Sequence, residues 1–197
     1  MFLAFNLEQT FDVARLRADL ARVEAADWVP HFNRAYYEGD WSAVALRSIG
    51  GLPRRIDPSP AATDFRDTPH MVRFPYFQEV VAAFPMPLRT VRLLRLAGGS
   101  SIMEHTDVDL GYEDGMVRFH VPIVTSPLVE FRLGGQRIDM LPGEAWYMDF
   151  NQPHSVRNTA DIDRVHLVID GFVNDWVHGV FAEAASRFDA DQPGAPA

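Results

Sequence analysis

The chain has 197 residues, of which 47% are hydrophobic, and this length and apolar content fit one globular domain with a sizeable core. It contains no run of roughly 18 apolar residues, as a membrane-spanning helix needs, and no basic segment of the kind that opens a signal peptide. Cysteine is absent, which excludes disulfides, thiolate metal sites and cysteine nucleophiles. The formal net charge of −9 opposes binding to a phosphate backbone. We therefore expect a cytoplasmic protein without a nucleic-acid or membrane partner, in which any metal ion is bound by His, Asp or Glu.

The first predicted element is an amphipathic helix, which Thr10 is placed to cap. Its apolar residues recur at helical spacing and are Phe11, Val13, Leu16, Leu20 and Val23. Residues 50–70 are rich in glycine and proline and predict a long loop, of a length that is common in lids. Pro75 can open a short helix that runs to Phe84, because a proline in the first turn loses no intrahelical hydrogen bond.

Residues 88–170 consist of short apolar runs separated by turn residues, which is typical of an all-β domain. The predicted strands are Val91 to Leu96, Ser101 to His105, Met116 to Val124, Val129 to Leu133, Ile138 to Met140, Ala145 to Asp149, His154 to Arg157 and Arg164 to Ile169. The fourth and fifth of these form a hairpin around Gly134-Gly135. Strands of this number and size favour a mainly β, cupin-like jelly roll with flanking N- and C-terminal helices, the second helix lying around Trp176 to Phe181. The expected organisation is one domain over residues 1–188 and a flexible tail over residues 189–197.

A candidate metal site begins at His105-Thr106-Asp107, where an imidazole and a carboxylate are two residues apart. Residues i and i+2 of an extended segment point to the same face, so both side chains can bind one ion. His154 lies on a later strand, which a jelly roll can bring beside the first. Two histidines and one carboxylate that leave three positions open form the facial triad of non-haem Fe(II) oxygenases, although the same ligands also suit Mn or Zn.

Arg164 opens the last apolar strand, where an arginine among core residues needs an anion. Its guanidinium can bind the distal carboxylate of a dicarboxylate cosubstrate in a bidentate manner. A salt bridge to Asp161, Asp163 or Asp170 is the alternative on this residue alone. Asp149 and Asp170 are also candidates to orient a ligand histidine, as metal sites usually require.

Several linked motifs resemble the aspartyl/asparaginyl β-hydroxylase family, which includes bacterial cis-proline hydroxylases. The motifs are His105-Thr106-Asp107, Met116 to Pro122, Pro142 to Asp149, Pro153-His154-Ser155 and Arg164 to Asp170. The resemblance implies a double-stranded β-helix that uses Fe(II), 2-oxoglutarate and O2. It also implies that His105, Asp107 and His154 bind the iron, and that Arg164 binds the distal carboxylate of 2-oxoglutarate.

Arg118 and His120 alternate with apolar residues, so both point to one face of their strand. The resemblance implies that His120 contacts the cosubstrate and Arg118 the substrate. Arg92 and Arg95 also match basic positions of the family, but a spacing of three places them on opposite faces of a regular strand. Only one can then enter the site, and we take Arg95 as a second substrate-binding residue. His166 is expected to be a satisfied buried histidine.

The resemblance implies a dioxygenase that hydroxylates a free amino acid or an amino-acid residue of the Asp, Asn or Pro type in a peptide or protein. No residue beyond the metal centre need act as a general acid or base. One alternative is a cupin-type metalloenzyme that does not use 2-oxoglutarate, because Pro153 to Asn158 resembles the end of a cupin motif. A second alternative is a non-catalytic ligand-binding jelly roll.

Overall fold

The computed structural model describes residues 2–57, 59 and 61–190 of the chain. The strands of this part, numbered β1 to β13, are Ala4–Thr10, Val29–Pro30, Tyr37–Glu38, Trp41–Ile49, Phe65–Asp67, Leu88–Leu96, Ser101–His105, Met116–Val124, Val129–Leu133, Gln136–Arg137, Glu144–Met148, His154–Asn158 and Arg164–Phe172. The α-helices, α1 to α3, are Val13–Leu20, Pro75–Ala82 and Asp175–Ala190. Short 3-10 helices occupy Ala25–Asp27, Arg34–Tyr36, Met71–Arg73 and Tyr112–Asp114.

The strands form two antiparallel sheets. The large sheet has the order β1-β11-β8-β13-β6-β4-β2, with β5 paired to β4, and the small sheet has the order β10-β9-β12-β7-β3. Side chains from both sheets pack together in one apolar cluster, which includes Leu96 of β6 together with Ile102 of β7 and Phe131 of β9. The chain is therefore a double-stranded β-helix with flanking helices, as the sequence predicts.

The three α-helices cover the outer face of the large sheet. Leu16 of α1, Phe77 of α2 and Phe181 of α3 join one buried cluster with outward-facing side chains such as Phe119 of β8. Alternation along β8 leaves Arg118 and His120 on the inner face, towards the small sheet. The helices thus bury the outer face and leave the space between the sheets for the site.

Two caps fix the short helices. The Asp12 side chain accepts hydrogen bonds from the backbone N–H groups of Ala14 and Arg15, so it caps α1 in place of the predicted Thr10. The buried Asp19 of α1 accepts from the N–H groups of Tyr76 and Phe77 at 2.7 and 3.0 Å. Its carboxylate therefore satisfies two backbone N–H groups in the first turn of α2. This helix begins at Pro75, as predicted, but ends at Ala82, before Phe84.

Other boundaries differ from the prediction in the first half of the chain, in the hairpin and at the end. Strands β1 to β4 were not predicted, and residues 50–70 include strand β5 and a segment packed on the large sheet. The second strand of the hairpin is Gln136–Arg137, and the predicted Ile138 to Met140 follows it outside the strand. In that segment Ile56 is buried, and its carbonyl accepts a hydrogen bond from Arg92 Nη1 at 3.1 Å. Asp189 and Ala190 belong to α3 and not to a tail, while residues 191–197 lie outside the described residues. None of the described helices has the length and apolar character needed to cross a membrane.

Candidate metal centre and active site

His105, Asp107 and His154 lie together between the two sheets. Each offers one ligand atom, and these atoms all lie within 4.8 Å of one another. His105 ends β7, His154 begins β12, and the two residues are register partners across this antiparallel pair. The sheet register therefore brings the two imidazoles together, and Asp107 follows two residues after His105 on the same side.

Both histidines present Nε2 to the cluster. His105 Nδ1 is 2.8 Å from the carbonyl oxygen of Met103, and His154 Nδ1 is 3.0 Å from that of Gln152. A carbonyl only accepts, so in each neutral ring Nδ1 carries the proton and Nε2 keeps a free lone pair. Backbone carbonyls thus orient these rings, and neither Asp149 nor Asp170 does so. Burial is the main cause that lowers the pKa of His154 to about 4, which favours the neutral, metal-binding form.

Asp107 is held by Arg118. Arg118 Nη1 donates to Asp107 Oδ2 at 2.6 Å, and the backbone N–H of Asp107 donates to the carbonyl of Phe150 at 3.0 Å. Burial by itself raises the pKa of Asp107, but the charges of Arg118 and His154 and the hydrogen bond from Arg118 together outweigh it and leave this pKa below its usual value. The carboxylate is therefore ionised and fixed in direction at neutral pH.

A second carboxylate, Asp170, balances the arginines behind the cluster. It accepts hydrogen bonds from Arg118, from Arg92 Nη2 at 2.7 Å and from the Thr90 hydroxyl at 2.7 Å. Burial raises the pKa of Asp170, yet Arg118 and Arg92 together hold it far below its usual range. Two buried arginines thus face two ionised carboxylates, Asp107 and Asp170.

Arg164 differs from these arginines because no described carboxylate pairs with it. It is 2% exposed, its Nη2 donates to His166 Nδ1 at 2.9 Å, and its Nε has no hydrogen-bond partner among the described atoms. Burial lowers the pKa of Arg164 to about 9, so the guanidinium remains protonated at neutral pH. The salt bridge weighed from the sequence does not form, since Asp170 binds Arg92 and Arg118, and Asp163 lies nearest to Arg95.

Two cavities meet at the His–Asp–His cluster. The inner cavity, about 40 Å³, extends from the cluster past His120 and Phe131 to Arg164. The outer cavity, about 180 Å³, extends to the other side, where the walls are His31, Phe32, Asn33, Tyr36 and Arg92. Trp41, Leu94, His105, Asp107 and Arg118 line both. An ion on the cluster would therefore have one space behind it that ends at Arg164 and one partly aromatic space in front.

A model of the family described as aspartyl/asparaginyl β-hydroxylase matches residues 10–173, which is most of the chain. The chain belongs to this family. It is 28% identical to L-proline cis-4-hydroxylase of Rhizobium meliloti (strain 1021) over 165 residues, which are 81% of this chain and 57% of that protein. It is 29% identical to L-proline cis-3-hydroxylase 2 of Streptomyces sp. over 167 residues, which are 81% and 56% of the two chains. The chain thus spans a little over half the length of these curated relatives.

Two solved structures share the fold of this β-hydroxylase family member. An oxidoreductase of the 2OG-Fe(II) oxygenase family from Burkholderia pseudomallei superposes with a TM-score of 0.53, at 16% identity, over 83% of this chain and 81% of that one. The non-heme alpha ketoglutarate dependent epimerase SnoN from nogalamycin biosynthesis gives a TM-score of 0.51 at 14% identity, over 85% and 76% of the chains. Both confirm the jelly-roll architecture.

One predicted site residue does not join the others. Arg95 pairs in register with Val165 and Ser42 on the outer face, where it binds Asp40 at 3.1 Å and lies over the Trp28 ring. Arg92 has the opposite orientation and lines the outer cavity. The spacing of three did place the two arginines on opposite faces. The expectation that Arg95 is the one that enters the site needs correction, because Arg92 and not Arg95 lines a cavity at the cluster.

The aromatic part of the outer cavity was missed from the sequence. His31 stacks on Trp41 with ring centroids 3.4 Å apart, and Tyr36 stacks on His105 at 5.1 Å. His31 and Tyr36 precede β4 and Trp41 opens it, and this part of the chain carries no motif that marks a site. His120 and Arg118 do line the cavities, as the family resemblance implies.

Proposed function

We propose that this chain is an Fe(II)- and 2-oxoglutarate-dependent dioxygenase that hydroxylates a free amino acid or an amino-acid residue of the Asp, Asn or Pro type in a peptide. The observation that carries the proposal is Arg164, a buried cation without a carboxylate partner among the described residues, at the end of a cavity that starts at the His–Asp–His cluster. A buried charge of this kind requires an anionic ligand to compensate its desolvation.

His105, Asp107 and His154 suit Fe(II) as ligands. Two imidazole nitrogens with free lone pairs and one ionised carboxylate match the donor set of non-haem iron oxygenases, and cavities on both sides leave positions for further ligands. With 2-oxoglutarate and O2, Fe(II) would supply the oxidising power to insert one oxygen atom into an unactivated C–H bond, which gives a hydroxyl group. The three residues would hold this ion between the two sheets.

Arg164 and His120 would bind the cosubstrate. The inner cavity joins the metal cluster to Arg164, so a dicarboxylate that chelates the metal at one end can reach the guanidinium with the other. His120 lines this cavity, and its Nε2 has no hydrogen-bond partner among the described atoms. Burial, followed by the charge of Arg164, lowers the pKa of His120 and keeps the ring neutral.

The outer cavity suits a substrate with a carboxylate near the oxidised carbon. Arg118 and Arg92 line it, and their charges are balanced by Asp107 and Asp170 only while no metal is bound. A divalent ion on Asp107 would leave this wall net positive, which favours an anionic group. The rings of His31, Phe32 and Tyr36 supply apolar contact and limit water around the target carbon.

Anaerobic titration with Fe(II) and 2-oxoglutarate tests the metal and cosubstrate together. We expect the weak visible charge-transfer band of a 2-oxo acid chelated to Fe(II), and no band when succinate replaces 2-oxoglutarate, because succinate lacks the 2-oxo group. Metal binding without the band would favour the cupin-type alternative. No metal binding would favour a ligand-binding jelly roll and would contradict the proposal.

The substrate class is tested by succinate formation. Free amino acids and peptides that contain Asp, Asn or Pro should be compared with a neutral small molecule that lacks a carboxylate. We expect turnover above the uncoupled rate with at least one amino acid or peptide. Stimulation by the neutral compound alone would contradict the substrate assignment and leave the iron site intact.

A further inference from the structure

A third cavity reaches Arg164 from the side that does not carry the metal cluster. This cavity, which we call the rear cleft, has a volume of about 310 Å³ and is lined by Thr125, Val129, Phe131, Met140, Arg164 and His166, among others. Its size is within the range of small-molecule sites. No member of the His–Asp–His cluster is among the described residues that line it.

Two deeply buried polar side chains face the rear cleft. Arg164 and His166 are 2% and 1% exposed. A guanidinium can only donate, so His166 Nδ1 accepts from Arg164 Nη2, and the neutral His166 ring carries its proton on Nε2. This Nε2–H has no acceptor among the described atoms, and Arg164 Nε lacks one too. The base of the cleft thus holds two buried donors without a described partner, one of them charged.

The rear cleft and the inner cavity are separate approaches to one arginine. His120 lines the inner cavity and His166 lines the rear cleft, while Arg164 and Phe131 line both. The two imidazoles meet with their Nδ1 atoms 3.2 Å apart. Arg164 and Phe131 therefore form a wall between the two cavities. The inner cavity lies on the side of the metal cluster, and the rear cleft lies behind the wall.

We propose that the rear cleft binds a monocarboxylate with a short apolar chain, its carboxylate at Arg164 and His166. The charge and the N–H donors without a described partner call for an anion, and apolar side chains such as Val129, Phe131 and Met140 form much of the remaining wall. At the mouth, Arg137 is paired with Asp139 at 2.7 Å, so the uncompensated charge lies at the base of the cleft. The apolar walls favour such a carboxylate over a strongly hydrated phosphate.

Hexanoate is the probe, and calorimetric titration of the metal-free protein is the measurement. We expect hexanoate to bind at least tenfold more tightly than hexanol, which has the chain without the charge. Arg164→Met should abolish the preference for hexanoate, with thermal unfolding measured to verify the fold. Equal affinity for hexanoate and hexanol would overturn the proposal.

A pair of surface variants locates the bound hexanoate. Leu141 is 65% exposed and lines the rear cleft, and Leu52 is 54% exposed in the turn after β4 and does not line it. Leu141→Glu should weaken hexanoate binding at least fivefold by repulsion, and Leu52→Glu should leave it unchanged. Equal effects of the two variants, or no effect of Leu141→Glu, would place the ligand elsewhere and overturn the proposal.

An expected effect of hexanoate on 2-oxoglutarate binding rests on the proposed function. Binding of hexanoate in the rear cleft does not depend on that function. Two carboxylates that share Arg164 weaken one another, so saturating hexanoate should raise the concentration of 2-oxoglutarate needed for the charge-transfer band. The rise should be smaller in Leu141→Glu at the same hexanoate concentration. An unchanged titration with hexanoate bound would contradict the role of Arg164 in cosubstrate binding and would leave the cleft as a site.

Discussion

Arg118 links the carboxylate of Asp107 to that of Asp170. Its Nη1 donates to Asp107 at 2.6 Å, and its Nε and Nη2 donate to the two oxygens of Asp170 at 2.6 and 3.1 Å. Asp107 lies beyond the end of β7, where strand pairing no longer holds the chain. Asp170 lies inside β13 in the large sheet. The orientation of the candidate metal ligand is thus set by the sheet through one guanidinium.

Replacement of the central carboxylate should be strongly destabilising. Asp170→Asn keeps the shape but leaves the buried Arg92 without a carboxylate partner and Arg118 with Asp107 alone, and we expect the free energy of unfolding to fall by about 3–5 kcal/mol. Urea denaturation of the metal-free protein measures this. Asp163→Asn is the matched control, because this exposed carboxylate is 3.9 Å from Arg95 and its loss should cost less than about 1 kcal/mol. Similar losses in both variants would contradict the role of Asp170.

Removal of one histidine ligand should abolish metal binding while the fold remains. His154→Ala takes away one of three ligands from a scaffold whose main apolar core lies on the outer face of the large sheet. Iron content and turnover should both be lost, with near-wild-type circular dichroism. His178→Ala, on the exposed side of α3, should retain both. Full activity in His154→Ala would contradict the metal assignment.

Asp107→Ala should keep part of the activity, because by the family resemblance some members lack this carboxylate.

The sequence could predict that His105, Asp107 and His154 lie together, because this geometry is local or follows from the fold. His105 and Asp107 share a face through their spacing alone, and the jelly roll needs only to pair β7 with β12 to bring His154 beside them. The choice between Arg92 and Arg95 could not be made in this way. The helices cover one face of β6, and the other face borders the space between the two sheets. Because neither face is turned to solvent, the alternation of side chains does not show which face points to the site.

Strand β4 was not predicted from the sequence, for a related reason. Ala43, Val44, Ala45 and Leu46 are all fully buried, so the strand lacks the alternation that marks a half-exposed strand. The aromatic wall of the outer cavity depends on β4 and on the segment before it. His31 and Trp41 are ten positions apart, with a 3-10 helix and β3 between them, and no local sequence pattern predicts that their rings stack.

Arg164 is expected to support cosubstrate binding and to lower the free energy of unfolding. Burial disfavours its protonated form, so Arg164→Met should raise the free energy of unfolding, on the order of 1–4 kcal/mol, because it removes a buried cation without a carboxylate partner among the described residues. The same variant should weaken 2-oxoglutarate binding about tenfold or more, since it loses a charge-assisted contact. Denaturation and calorimetry measure the two effects.

Arg132→Met provides the control for Arg164→Met. Arg132 is half exposed and pairs with Glu130 on the surface of β9, so its loss should change neither stability nor cosubstrate binding appreciably. An Arg164→Met protein that is less stable than the wild type, with unchanged affinity for 2-oxoglutarate, would point to a structural role for Arg164.

Buried neutral histidines should make the metal-free protein sensitive to mild acid. Burial is the main cause that lowers the pKa of His31 to about 3 and that of His154 to about 4, and it also lowers the pKa values of His120 and His166. In the unfolded chain these rings titrate near 6.5, as histidines ordinarily do. Between about pH 6.5 and 4 the unfolded state therefore binds more protons than the folded state, and stability falls as the pH falls.

The contribution of a single ring can be isolated with His31. Each such histidine adds up to about 1.4 kcal/mol per pH unit to the slope of the unfolding free energy in this window. His31→Phe keeps an aromatic ring on Trp41 and removes the titrating group, so the slope between pH 6 and pH 4.5 should decrease by about that amount. Urea denaturation at several pH values measures the slope in the wild type and in His31→Phe, and an unchanged slope in His31→Phe would show that this ring is not buried in its neutral form.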